Sequence, residues 1–285
     1  KTEFGVDSKM AWMPDTFGFS GALPQIMIGC EVPYFATQKL LRSDPECEQF
    51  PYNIFWWEGI DGSKVLSHIY KKNNAQFTPD GLISRWEDDR NQKENIDGMF
   101  FPFGFGDGGG GPTEIMMETY LRCKDLEGLP RCEMASPIDY FEGIDTSEVE
   151  NTYYGELYLA WHRGTYTTQA KIKKGVRKAE FALREAQYLA GLLRIKQAKL
   201  SEKELVVLEE AIQQIEQNWQ GLLFQEFHDI LPGTCIPRAH RESREQTTRL
   251  IKEANEQIAT LLEKKEEGYT TAYNTLSFER GDVLY

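Results

Sequence analysis

Several things are scarce in this chain. Its 285 residues hold five cysteines (Cys30, Cys47, Cys123, Cys132 and Cys235), scattered, odd in number and without a C-x-x-C pair. That spacing argues against a structural zinc cluster or a disulfide framework, and for reduced thiols in the cytoplasm. No N-x-[ST] sequon occurs, which agrees with that compartment. No apolar run reaches membrane-spanning length and no signal peptide is found, so no membrane partner is expected. Positive charge is scarce as well. A net charge of -13 argues against a nucleic-acid partner, because a phosphate backbone demands a positive face. It suits an uncharged ligand such as a sugar. An initial methionine is also missing, and the opening at Lys1 suggests a fragment.

Length is not lacking. The chain can bury one large core or two ordinary ones, and 40% hydrophobic with 27% charged residues is the balance of a soluble globular protein. From residue 1 to about 150, strand-like and helix-like stretches alternate. Lys9–Met13 reads as a strand, 21–30 as a short helix, 34–41 as extended, 55–62 as an aromatic turn and 64–70 as a strand. Leu82–Asn91 reads as a helix. The near-continuous apolar run Met99–Phe105 reads as a strand buried on both faces of a parallel sheet, and a helix follows from Pro112. Such alternation implies a parallel sheet covered by helices, open or barrel-like.

After Asn151 the pattern becomes helical. One helix, 169–200, carries Phe181, Tyr188, Leu192 and Ile195 at helical spacing. Ser201-Glu-Lys-Glu204 is a capping box opening the next, whose Leu205, Leu208, Ile212, Ile215, Trp219 and Leu222 step by three and four. A third helix, from about Ala239 to Lys265, carries Ile251, Ala254, Ile258 and Leu261 on one face. Three long helices with polar backs make an antiparallel bundle. Residues 270–285 read as strands opening a β-rich domain. The expected domains are therefore 1–150, 151–268 and 269–285.

Four stretches carry possible chemistry. In Trp12-Met-Pro-Asp15-Thr-Phe17-Gly, a carboxylate follows an apolar run and is walled by aromatics, as an active-site acid looks at the end of a strand. The competing reading is a turn aspartate or helix N-cap. Phe103-Gly104-Phe-Gly106-Asp107-Gly-Gly109 formally contains G-x-G-x-x-G, with Asp125 about twenty residues on, so a nucleotide-binding oxidoreductase stays open. Against it, Asp107 would repel a pyrophosphate. A bare loop offering Asp107 to a bulky neutral ligand is the better account. Phe227-His228-Asp229-Ile-Leu-Pro232-Gly233 ends the second bundle helix. Its imidazole either complements the helix dipole or ligates a metal. Trp161-His162-Arg-Gly-Thr-Tyr166 suits sugar binding or junction packing equally. His68 reads as structural.

Taken together, Trp12-Met-Pro-Asp15-Thr-Phe17-Gly-Phe-Ser-Gly-Ala-Leu-Pro-Gln, Phe55-Trp-Trp-Glu-Gly-Ile-Asp-Gly-Ser and Phe227-His228-Asp229-Ile-Leu-Pro-Gly-Thr resemble glycoside hydrolase family 38, the zinc-dependent retaining α-mannosidases. The Gly106-Asp107-Gly-Gly-Gly-Gly-Pro and Leu157–Thr167 stretches look like its bacterial branch. The resemblance implies an α/β fold: the second half of an α/β barrel-like catalytic domain, an antiparallel three-helix bundle and the first strands of a β-rich domain. It implies hydrolysis of terminal α-mannosides of oligosaccharides by double displacement. Asp15 falls on the nucleophile, which also binds Zn2+, and His228 on a second zinc ligand. Asp107 is the likeliest match to the acid/base carboxylate. Trp12, Phe17, Trp56, Trp57, His162 and Tyr166 are candidates for substrate binding. The family's H-x-D motif, which supplies two further ligands, occurs nowhere in this sequence. Those ligands are expected upstream of Lys1, so the 285 residues alone are expected to be inactive or to act as a non-catalytic carbohydrate-binding fragment. A homo-oligomer is compatible with the sequence.

Overall fold

The structure is a computed structural model. It describes residues 4–41, 50–72, 75–92, 97–262, 273–279 and 281. The chain forms two units, Lys1–Arg163 and Gly164–Tyr285.

The first unit is built on a mixed five-stranded sheet. Its strands are β1 (Met10–Trp12), β2 (Tyr34–Thr37), β3 (Ile54–Glu58), β4 (Lys64–Ile69) and β5 (Thr152–Tyr154), in the order β1-β2-β4-β3-β5. β1, β2 and β4 run parallel, β3 is antiparallel to β4, and β5 is parallel to β3. Helices α1 (Leu23–Gly29), α2 (Pro79–Asp88), α3 (Glu114–Cys123) and α4 (Pro137–Glu142) complete it. The two-residue period of a strand divides the side chains between two cores. Phe35, Phe55, Trp57, Val65 and Ile69 pack on one side with Phe19, Met27 and Leu157. Ala36, Ile54 and Leu66 pack on the other with Phe141 and Val149.

Several expectations are corrected here. The sheet is not wholly parallel, and residues 54–58 form β3 where an aromatic turn was expected. The turn comes only at Gly59, whose N–H donates to the Ser63 carbonyl. The extended reading of 34–41 holds to Thr37, after which Lys39–Leu41 turns into a 3-10 helix. Met99–Phe105 is not a strand: beyond an isolated bridge from Phe103 to Ala75, it makes no ladder. Pro102 has no N–H to give, and the aromatics are used in packing instead. Phe100 joins the core holding Phe141, while Phe101 and Phe103 join a separate cluster around Phe77 and Met116. β5 pairs with β3, and the first unit extends to Arg163.

The second unit is an antiparallel bundle of α5 (Ala170–Ile195), α6 (Glu202–Gln225) and α7 (Pro237–Leu261), joined by short connections. The Ser201–Glu204 capping box forms as read: Ser201 Oγ accepts from the Glu204 N–H, and Glu204 Oε2 accepts from the Ser201 N–H at 2.8 Å. The α6 seam holds, with Leu208, Ile215 and Leu222 buried. The α5 seam does not. Phe181 and Ile195 are 57% and 82% exposed, and Tyr188 is exposed too. The buried face is the alanine-rich stripe Ile172, Val176, Ala179, Leu183, Ala186 and Ala190. Small residues win because α5 and α7 cross closely: a Cβ on Gly175 would lie 2.6 Å from Thr247 Oγ1. Of the strands expected in 270–285, the described residues 273–279 and 281 form none, and the others lie outside the described residues.

Candidate active site

Parallel strands present their carboxyl ends on one edge of a sheet, where open α/β folds bind ligands. β1 ends there. Its pairing runs one residue further through the Met13 N–H to the Ala36 carbonyl, and Thr37 Oγ1 donates to the Met13 carbonyl at 2.8 Å. Pro14 then turns the chain, and Asp15 comes next at the edge. The segment leaving β2 meets it. Lys39 Nζ stands 2.9 Å from Asp15 Oδ1, and Gln38 Nε2 donates to the same oxygen at 3.3 Å. The Asp15 side chain remains 34% exposed, so the carboxylate is held but reachable.

Phe17 is placed by a backbone bridge two residues further on. Phe19 and Leu157 exchange backbone hydrogen bonds at 2.9 and 3.0 Å. Gly21 lies against residues 155–156 so closely that a Cβ would come within 3.0 Å of the Gly155 carbonyl carbon. This bridge brings His162 to Phe17, ring centroids 5.2 Å apart, with the His162 backbone in the left-handed region at φ 59°. Lys39 Nζ lies 4.9 Å from the Phe17 centroid. Asp15, Phe17, Lys39 and His162 therefore form one constellation.

Trp12 belongs to a neighbouring group. Its indole N–H donates to Tyr70 Oη at 2.6 Å and its ring meets Phe100 edge-on, yet 42% of the residue is exposed. The paired tryptophans of β3 point to opposite sides of the sheet. Trp56 is half-buried against the Phe141 core. Trp57 is 0% exposed, and its indole donates to the Gly155 carbonyl at 2.7 Å, so its reading as a sugar platform is corrected: it has no free face. Tyr166 is exposed and lies in the second unit.

Asp107 stands on an ordered loop. The Gly110 N–H donates to the Phe105 carbonyl, the Phe105 N–H to the Gly111 carbonyl, and the Gly104 N–H to the Ala75 carbonyl. Among the described residues no hydrogen bond or ion pair joins Asp107 to the Asp15 group. It is solvent-exposed. The dinucleotide reading loses its structural basis in the same loop. Irregular chain feeds it instead of a strand, and the N-terminus of α3 is already capped by Thr113 Oγ1 and carries Glu114 in its first turn.

Among the other histidines, His68 is wholly buried on β4, with Nδ1 2.8 Å from Tyr140 Oη. Burial pushes its imidazole down to about 3, so it is neutral and structural. His228 comes after the last turn of α6, its ring 4.2 Å from that of Phe227 and its Nε2 4.0 Å from Asp229 Oδ2. The imidazole is 37% exposed.

A family model described as the glycosyl hydrolases family 38 N-terminal domain matches residues 1–184. The chain belongs to glycosyl hydrolase family 38. A second model, described as the alpha mannosidase middle domain, matches residues 160–264 of this family 38 chain. Over 244 residues it is 39% identical to alpha-mannosidase 2C1 of Homo sapiens, covering 85% of this chain and 22% of that protein. Over 255 residues it is 34% identical to an alpha-mannosidase of Saccharomyces cerevisiae, covering 84% of this chain and 22% of that one. The chain thus spans about a fifth of the length of these relatives. In fold it is similar to an alpha-mannosidase from Enterococcus faecalis, with a TM-score of 0.57 and 16% identity over 91% of this chain and 30% of that one.

Zinc takes carboxylate oxygen and imidazole nitrogen as donors. In this family 38 chain, Asp15 and His228 supply one of each, both partly exposed. Each side chain is by itself of a type that zinc accepts. Among the described residues no group of three or more His, Cys, Asp or Glu side chains could hold an ion alone. The spacing of motifs did not reveal Gln38, Lys39 and Tyr70. The only sequence signal for the first two was their place directly after a strand parallel to β1.

Proposed function

We propose that this protein is a retaining, zinc-dependent α-mannosidase that removes terminal α-mannose from oligosaccharides. The observation that carries this reading is the Asp15 carboxylate, reachable at the carboxyl edge of the sheet and held by Lys39 and Gln38. Family membership and the names of the relatives support the substrate class.

Retention needs two carboxyl groups about 5–5.5 Å apart in the working site. Asp15 attacks the anomeric carbon, the glycosidic C–O bond breaks, and the leaving oxygen takes the proton of the second carboxyl, which we assign to Asp107. Water then gives its proton back to Asp107 and displaces the Asp15 ester oxygen, releasing mannose. Lys39 and Gln38 orient the Asp15 carboxylate, while Phe17, Trp12 and His162 offer apolar or aromatic surface to the sugar. Asp15 and His228 would hold the zinc, which when bound supplies a fixed positive charge to sugar hydroxyls. The exposed Cys30 thiol and the other unpaired thiols suit a reducing compartment, and we assign the protein to the cytoplasm.

Azide separates the two carboxyl roles. With an activated aryl α-mannoside, Asp15→Ala should lose hydrolysis and yield β-mannosyl azide when azide is added. Asp107→Ala should yield the α-azide, formed by two successive inversions. Wild-type turnover in the Asp15 variant would overturn the nucleophile, and the absence of any azide product from the Asp107 variant would remove that residue from the acid/base role.

A further inference from the structure

His228 lies in a connection, residues 226–236, with no helix or strand of its own, although a metal ligand must be held within a fraction of an ångström. What fixes it lies within the second unit. The Ile230 and Leu231 N–H groups both donate to the Phe227 carbonyl, at 2.8 and 3.1 Å, and the Gly233 N–H donates to the Ile230 carbonyl at 2.9 Å. Residues 227–233 are therefore one hydrogen-bonded turn, which carries His228 and Leu231 together. Two contacts anchor that turn to the start of α5. Lys173 Nζ donates to the Leu231 carbonyl at 2.9 Å and to the Thr168 carbonyl at 2.7 Å, joining segments 63 positions apart in sequence. Gly233, at φ 80°, packs so tightly that a Cβ would lie 2.8 Å from Gln169 Cβ and 3.0 Å from the Thr168 carbonyl oxygen. Ile230 and Leu231 pack against the bundle core beside them.

We propose that Lys173 and Gly233 are positioning residues for the metal site: together they clamp the 227–233 turn to the N-terminus of α5 and so fix the direction in which His228 presents its imidazole. Neither residue is assigned as a ligand of zinc or of sugar. The proposal rests on the reading of His228 as a zinc ligand. Lys173 supplies what the turn lacks, a donor with several protons that reaches carbonyls of two segments at once. Gly233 is the only residue type small enough for the approach.

The test measures zinc affinity of the full-length protein by competition with a chromophoric chelator, in Lys173→Met, Gly233→Ala, His228→Ala and the His228→Ala/Lys173→Met double variant. Partners that orient a ligand are worth about 10–100-fold in metal affinity. Lys173→Met and Gly233→Ala are each expected to weaken zinc binding by at least about tenfold, and Lys173→Arg, which keeps the donors, by less. In the His228→Ala background Lys173→Met should cost nothing further, because its effect acts through that imidazole. An equal loss in both backgrounds, or parental affinity in Lys173→Met, would overturn the clamp. Should His228→Ala itself bind zinc like the parent, the metal reading would fall and the clamp with it. If Lys173→Met does not fold, Gly233→Ala with and without His228→Ala decides the matter by the same comparison.

Discussion

Lys39 Nζ lies 2.9 Å from Asp15 Oδ1 and 4.9 Å from the Phe17 ring centroid, so one side chain holds the carboxylate proposed as nucleophile and packs over the neighbouring aromatic ring. A hydrogen bond to a charged group is worth about 1.5–3 kcal/mol. Lys39→Met should therefore lower kcat on an aryl α-mannoside about 10–100-fold, with a smaller change in KM, and Lys39→Arg should keep more activity. Steady-state kinetics of the two variants check this. An unchanged kcat in the methionine variant would remove Lys39 from the site.

Trp12 and Trp57 should separate binding from stability. Trp57 is wholly buried, and truncating such a residue to alanine costs about 3–5 kcal/mol. Trp57→Ala is expected to lower the denaturant midpoint sharply. Trp12→Ala, which removes an exposed ring, should raise KM for an oligomannoside several-fold while leaving the protein folded. The reverse pattern would exchange the roles given to the two rings.

His68 makes stability depend on pH. Its buried imidazole titrates at about 3, against an ordinary 6.5, so the unfolded chain takes up a proton that the folded one refuses. The stabilisation is complete above about 6.5 and is lost as pH falls from there towards 3. Unfolding of the parent at pH 7 and pH 5 should differ by about 2 kcal/mol from this group alone. His68→Gln, which cannot titrate, should show a correspondingly smaller difference.

Ser201 tests the bundle. Its capping box satisfies the first N–H groups of α6, and an N-cap serine is worth about 1 kcal/mol. Ser201→Ala should lower Tm by a few degrees in a calorimetric scan and leave kcat unchanged.

What the sequence revealed and what it hid divide along physical lines. Asp15 after a short strand, the capping box and the α6 seam are local patterns, and each appears where its spacing put it. Lys39 was hidden because it reaches Asp15 only through the parallel pairing of β1 and β2, a contact across 24 residues. Trp56 and Trp57 cannot be told apart by composition, since adjacent strand residues face opposite sides and only the sheet's surroundings show which side is closed. The aromatic run around Pro102 looked like a strand because hydrophobicity alone does not distinguish a ladder from a packed irregular segment. On α5 the conspicuous residues, Phe181 and Ile195, misled because the close crossing with α7 selects small side chains for the buried stripe.

The central claim is that Asp15 and His228 grip the same divalent ion. Anomalous diffraction at the zinc edge, on crystals of the full-length protein, tests it most directly. The account predicts one peak about 2.0–2.2 Å from an Asp15 carboxylate oxygen and from an imidazole nitrogen of His228. A peak bound by neither residue, or Asp15 and His228 too far apart to share an ion, would contradict it.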